Sequence, residues 1–173
     1  MALALEPWDE SGLDILQRCN VPEMTVYLGG PETDEKLADR HRRYLNFART
    51  GQEAWPLRVL LDGEVVGSVC YWDDETAFEM GWAIAPEYQG RGLAKASVEL
   101  GLDHAAANGL HPTVTANPGV TNLASNAVAK SAGFQLLREH DIEYPLGTVM
   151  RANLWVYYLS QREGLSQREG SAH

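Results

Sequence analysis

The stretch from Leu57 to Asn117 constrains the fold more than any other part of the chain, because its hydrophobic period changes twice there. Leu57 to Leu61, Val65 to Trp72 and Ala77 to Ala85 read as strands, separated by an Asp62-Gly63 turn and a polar turn at Asp73-Asp74. That is a three-stranded antiparallel meander. Leu93 to Asn108 then carries apolar residues on two sides, has no breaker except Gly101, and stops at Asn108-Gly109, so it reads as a largely buried helix. Thr113 to Asn117 is again a strand. A helix that joins two strands of one sheet makes a crossover, which requires those strands to be parallel. The sheet must therefore be mixed: mostly antiparallel, with one parallel pair inside it.

The flanks fit this frame. Ala2 to Glu6 can form a strand, Leu13, Ile15 and Leu16 mark a short helix, and Pro22 interrupts the chain after it. Beyond the Gly29-Gly30-Pro31 break, Thr33 is a good N-cap for a helix in which Leu37, His41, Tyr44, Leu45 and Ala48 recur at helical spacing up to Gly51. Pro118-Gly119 leads into a helix near Thr121 that ends at Gly133. Phe134 to Tyr144 and Val149 to Leu159 look like a final antiparallel pair. The expectation is an α/β (α+β) domain over residues 1–159, with six to seven strands and about four helices on both faces. Residues 160–173 repeat S-Q-R-E-G and read as a solvated tail.

A chain of 173 residues suits one domain of this size. Lys plus Arg number 14 against 24 for Asp plus Glu, a formal charge of -10 that disfavours nucleic-acid and anionic-membrane partners. No apolar run approaches the roughly 20 residues of a spanning helix, and Met1 to Leu5 meets Glu6 and Asp9 too early for a signal peptide. Cys19 and Cys70 lie far apart without a C-x-x-C, and the five histidines show no metal-binding spacing. The expectations are no metal, no disulfide framework and a cytoplasmic location.

The chemistry concentrates in Gly81-Trp82-Ala83-Ile84-Ala85-Pro86-Glu87-Tyr88-Gln89-Gly90-Arg91-Gly92-Leu93-Ala94-Lys95. A strand runs into a glycine-bearing loop that opens a helix, so unpaired N–H groups and the positive end of the helix dipole converge. Gly90 and Gly92 permit close approach, and Arg91 and Lys95 add positive charge, which together suit a pyrophosphate. A plain strand-to-helix turn would look similar. A P-loop is absent for want of G-K-[ST], and the third glycine and repeated units of a dinucleotide fingerprint are missing.

Gln89-Gly90-Arg91-Gly92-Leu93-Ala94 resembles the Q/R-x-x-G-x-G/A acetyl-CoA signature of the GNAT superfamily of N-acetyltransferases, with Pro86 and Tyr88 in their usual places before it. Asn122-Leu123-Ala124-Ser125-Asn126-Ala127-Val128-Ala129-Lys130-Ser131-Ala132-Gly133-Phe134 is similar to the second landmark of that family, N-x-x-S followed by K-x-G-F. The separation of the two and the element order agree over about residues 2 to 159. The wording around Asn122 looks most like the ribosomal-protein-alanine acetyltransferase branch.

The resemblance implies that the parallel strands part near their ends and that pantetheine of acetyl-CoA, the co-substrate, lies along Trp82, Ala83 and Ile84 like an added strand. It implies a diphosphate on N–H groups of Gly90 to Lys95, a carbonyl polarised near Trp82, and cofactor contacts from Asn122 and Asn126. Transfer to an amine also needs a base and a proton for the thiolate. Glu79 alternates with Phe78, Met80, Trp82 and Ile84 and is one candidate base. Glu143, before Pro145 and Gly147, is its rival, and Ser125 matches the proposed thiolate partner. The tyrosine that many members carry seven residues after the asparagine is Ala129 here, leaving Tyr88, Tyr144 or water as other donors. Cys70 reads as a buried inert thiol, so direct attack is expected rather than an acyl-enzyme. His41, Trp8, Trp55, Trp72 and Trp155 read as packing.

By family habit, Tyr27 to Pro31 and Tyr144 to Met150 would wall the acceptor, and Glu23, Glu79, Asp141 and Glu143 would favour a cationic amine on a small molecule or peptide. A homodimer is expected by analogy only. Two further readings stay open at this point: a protein that binds acetyl-CoA without turnover, and a nucleotide-phosphate binder using the same helix end.

Overall fold

The structure is a computed structural model describing residues 2–163. Its elements are β1 (Leu3–Pro7), α1 (Gly12–Cys19), α2 (Pro22–Thr25), α3 (Asp34–Thr50), β2 (Ala54–Leu61), β3 (Glu64–Asp73), β4 (Phe78–Ile84), α4 (Leu93–Asn108), β5 (Thr113–Ala116), α5 (Leu123–Ser131), β6 (Gln135–Glu143) and β7 (Val149–Tyr158), with 3₁₀ turns at Val26–Leu28 and Pro86–Tyr88. One seven-stranded sheet has the order β1-β2-β3-β4-β5-β7-β6. Every neighbouring pair is antiparallel except β4 and β5, which the α4 crossover makes parallel.

Two elements depart from expectation for identifiable reasons. Pro22 starts α2 rather than only interrupting the chain, because at the first helical position its missing N–H costs nothing. Strand β2 begins at Ala54, three residues before Leu57, and runs through Pro56. The Pro56 carbonyl accepts from Trp8 N at 3.1 Å on the β1 side, so the missing N–H also faces that side and no bond to β3 is lost.

Helix α3 begins where Thr33 Oγ1 accepts from Lys36 N and ends at Gly51, in the left-handed region. Helices α4 and α5 lie on one face of the sheet. There Val98, Leu102 and Ala105 pack with Val69, Phe78, Met80 and Val114, all at most 3% exposed. Gly101 permits this closeness: a Cβ on it would stand 2.8 Å from Val69 Cγ1. On the opposite face, Trp8, Ile15, Leu16, Leu37 and Ala85 form a second core under α1 and α3. His41 is packed there, accepting at Nδ1 from Trp8 Nε1 at 3.0 Å. Burial of the Cys70 thiol pushes its pKa up to about 12, which fits an inert core group.

No helix among the described residues is long and apolar enough to cross a membrane. Residues 160–163 make a helical turn, and Arg162 Nε donates to Asp103 Oδ1 at 2.7 Å on α4. The second copy of the repeated pentamer lies outside the described residues.

Candidate active site

Strands β4 and β5 share only two register pairs, Phe78 with Val114 and Glu79 with Thr115. Beyond Glu79, β4 continues to Ile84 with no strand partner on that side among the described residues, while β3 stays paired with it as far as Ile84. Ala85 N donates to Val66 O at 2.9 Å, which sets the phase of the β3–β4 ladder. The odd-numbered residues of β4, Ala83 included, exchange bonds with β3. Trp82 turns both of its backbone groups into the gap, with the C=O of Met80 and the N–H of Ile84 beside them; the Met80 N–H still closes the Glu79–Thr115 pair with β5. The expectation for Ala83 is thus corrected in one respect: its N–H and C=O belong to the ladder with Ser68, and alternation along the strand is the reason.

The gap leads to the start of α4. Gly90 and Gly92 have φ of +77° and +76°, and Gly92 is an N-cap without side-chain support. The first helical bond is Ala96 N to Gly92 O at 3.2 Å, and no described acceptor meets the backbone N–H groups of residues 90 to 95. An added Cβ at Gly90 or Gly92 would have nothing within 4 Å. Open space in front of a run of unused donors fits a diphosphate. Leu93 anchors the turn in the core, Ala94 is half-buried, and Lys95 is exposed, 3.9 Å from Glu99. Gln89 Nε2 donates to Ile84 O at 3.0 Å, tying the loop to the end of β4. Arg91 lies over the Tyr88 ring, 5.2 Å from its centroid.

Glu79 stands where the two strands part. Burial raises its pKa, Asn117 lowers it less, and the Asp74 charge adds a small rise. Asn117 Oδ1 in turn meets His140 Nε2 at 2.7 Å. Neither Asn117 nor His140 carries a signal in the sequence pattern, because their meeting depends on β7 inserting between β5 and β6.

Asn122 Oδ1 accepts from Ser125 N at 3.2 Å, which gives the N-x-x-S spacing a physical meaning as a helix cap. Ser125 is half-buried and its Oγ has no partner among the described residues, unlike Ser97 Oγ, which donates to Leu93 O at 2.6 Å. Asn126 is engaged at every polar atom. Its Nδ2 donates to Gly119 O and Asn122 O, and its Oδ1 accepts from Asn153 Nδ2 and Trp155 Nε1, both at 2.8 Å. Its amide faces the fold, leaving nothing to offer a cofactor. Ala129 is fully buried, so a core methyl fills the place of the family tyrosine.

Glu143 is exposed at the end of β6, and its Oε1 accepts from Gly147 N at 2.7 Å. It closes its own turn. Asp141 is held by Arg151 at 3.2 Å. The two expected acceptor walls do meet: a Cβ on Gly29 would lie 3.1 Å from Pro145 Cγ. Tyr27, Leu28, Tyr144 and Val149 are exposed around that contact, whereas Glu23 is a solvated surface carboxylate. Among the described residues no group of three or more His, Cys, Asp or Glu side chains could hold a metal ion.

A parted sheet beside a helix end rich in unused donors defines an acyltransferase that takes its acyl group from a coenzyme A thioester. The family model of the acetyltransferase (GNAT) domain matches residues 2–135, and the chain belongs to that family. Its reaction is acetyl-CoA-dependent N-acetylation. Among solved structures, the chain is similar to an acetyltransferase from Salmonella typhimurium that modifies the N-terminal serine of ribosomal protein L7/L12, with 21% identity, TM-score 0.77, and 91% of this chain and 95% of that one covered. It is also similar to aminoglycoside acetyltransferase AAC(6')-Ib in complex with coenzyme A, at 18% identity and TM-score 0.74, covering 93% and 98%. A third similarity is to spermidine N-acetyltransferase from Vibrio cholerae in complex with CoA and spermine, at 17% identity and TM-score 0.74, covering 91% and 96%.

Proposed function

We propose that the chain acetylates a primary amine, on a small molecule or a protein amino terminus, by direct attack on the thioester, with Glu79 taking the proton of the amine and Ser125 serving the departing thiolate. The observation that carries this reading is the position of Glu79 at the point where β4 and β5 separate. Bound acetyl-CoA supplies the activated acyl group. The backbone N–H groups of residues 90 to 95, with Arg91 and Lys95, hold its diphosphate; Trp82 offers both backbone groups and Ile84 its N–H to the pantetheine arm, and Asn122 Nδ2, without a partner among the described residues, can reach it. The Trp82 N–H lies on the same side and can donate to an oxygen on which charge develops.

Burial raises the pKa of Glu79, which brings a carboxylate closer to the range useful for a base at neutral pH. For the thiolate, the Ser125 hydroxyl, partnerless among the described residues, is favoured over Tyr88, whose ring has both Arg18 and Arg91 against it and whose hydroxyl is beside Glu64. Glu143 is engaged by Gly147, which supports Glu79 as the base. The exposed apolar rim at Tyr27, Leu28, Tyr144 and Val149 supports an acceptor with an apolar portion next to its amine. A cytoplasmic site is supported by two free cysteines and a charge of -10, and a homodimer by Leu136 and Leu137 exposed on the edge strand β6.

An amine panel of peptides, polyamines and amino sugars, with release of CoA thiol as the readout, tests the reading. Turnover with at least one amine and not with matching alcohols is expected, with large losses in Glu79→Gln and Ser125→Ala and near-normal rates in Glu143→Gln. Acetyl-CoA binding without thiol release across the panel would leave a non-catalytic binder.

A further inference from the structure

Behind Glu79 stands a pair of polar side chains that the proposed chemistry does not use. The β4–β5 register places Glu79 opposite Thr115, and Asn117 comes two residues later on the same face. On the far side of β7, His140 pairs with Ala152, on that same face of the sheet. Ala152 is completely buried and presents only a methyl group, which leaves room for the imidazole to reach across the intervening strand. The result is the 2.7 Å contact between His140 Nε2 and Asn117 Oδ1.

The chemistry of this contact is directional. An amide oxygen only accepts, so His140 Nε2 must carry the hydrogen and donate it. With its oxygen fixed in this way, the Asn117 amide keeps its NH2 group for the side of Glu79, which the register sets on the same face of the sheet beside Thr115. A carboxylate at the lip of an open gap would otherwise sample several rotamers, and a base works only in one of them.

We propose that Asn117 and His140 are positioning residues that hold the Glu79 carboxylate in its working orientation, His140 acting through the Asn117 amide. The inference rests on Glu79 as the base. The charged groups around the pair are few. Asp74 lies beside Glu79 and Arg138 precedes His140 on the same face of β6, whereas Arg151, Glu139 and Asp141 form their ion pairs on the opposite face.

Loss of the amide donor removes an interaction that favours ionised Glu79, so the acid limb of kcat/KM must move to higher pH. The experiment compares Asn117→Ala, His140→Ala and His140→Gln, each alone and combined with Glu79→Gln, in pH profiles with a responsive amine. Asn117→Ala and His140→Ala are expected to raise the acid limb and lower kcat about tenfold, with the KM for acetyl-CoA nearly unchanged. His140→Gln, which can donate to the same oxygen, is expected to restore most of the rate. In the Glu79→Gln background, neither alanine substitution should lower kcat further. An acid limb that stays in place, or equal losses with and without Glu79, overturns the inference alone. A Glu79→Gln enzyme as active as the parent overturns the base assignment, and this inference with it. Should Asn117→Ala fail to fold, the His140→Ala and His140→Gln pair decides the matter.

Discussion

Glu79 and Thr115 are the last residues that β4 and β5 pair before the strands separate. This register couples the mouth of the sheet to a half-buried carboxylate whose pKa is raised mainly by burial. Replacing Glu79 by Gln keeps the shape and removes the base, so kcat should fall about a hundredfold or more. The parent should lose kcat/KM on acidification at a pH above the ordinary glutamate range, and the variant should lack that limb. Steady-state rates between pH 5 and 9 check both points.

The same carboxylate should weaken the fold at neutral pH. A folded pKa above the unfolded value means that the native state holds more protons between the two, so this group contributes its full stability below the unfolded pKa and loses it as pH rises through the folded one. Glu79→Gln should therefore raise the Tm at pH 7, on the order of a few degrees, with the gain disappearing toward pH 4. Equal or lower Tm at pH 7 would contradict the burial argument. Activity and stability thus move in opposite directions at one position.

Gly92 and Gly109 stand at the two ends of α4 with φ of +76° and +75°, and a Cβ on either meets nothing within 4 Å. Alanine at either site carries the same backbone strain, about 1 kcal/mol. Only Gly92 lies within the run of unused N–H groups at residues 90 to 95, where an added methyl group crowds a bound diphosphate. Gly92→Ala should raise the KM for acetyl-CoA about tenfold while Gly109→Ala leaves it unchanged, with similar small drops in Tm. Calorimetry with CoA gives the same comparison without turnover.

The sequence showed the architecture because its strongest signals are local. The Asp62-Gly63 turn, the Thr33 and Gly51 caps and the period of α4 are all decided within a few residues, and the crossover then forces the parallel pair. The glycine loop and the capping Asn122 were legible for the same reason. What stayed hidden depends on contacts far apart in the chain. Arg58 is an example: a charge inside a strand, it is buried because Glu6, Asp9 and the Pro7 carbonyl surround it. Ala83 reads like its neighbours in sequence, yet the phase of the ladder turns its backbone toward β3. Glu143 resembles a family acid, and only the fold of its turn shows that Gly147 already occupies it.

Asn126 belongs to the same lesson and gives a test of it. Its amide joins the 119–122 loop, the start of α5 and two residues of β7. Truncation to Ala leaves the Trp155 indole N–H, on a side chain only 7% exposed, without its acceptor. A buried donor left unsatisfied costs about 1–3 kcal/mol, which for a domain of this size lowers Tm by several degrees. If Asn126 acts through the fold, Asn126→Ala should show that loss while the KM for acetyl-CoA stays within about twofold of the parent below the transition, since a side chain that does not touch the cofactor has no binding energy to lose. Asn122→Ala should show the contrasting pattern: a loss of about 1 kcal/mol from the missing cap, together with a raised KM for acetyl-CoA if its Nδ2 reaches the bound thioester carrier. Thermal melts and acetyl-CoA titrations of the two variants side by side separate the scaffold asparagine from the binding one.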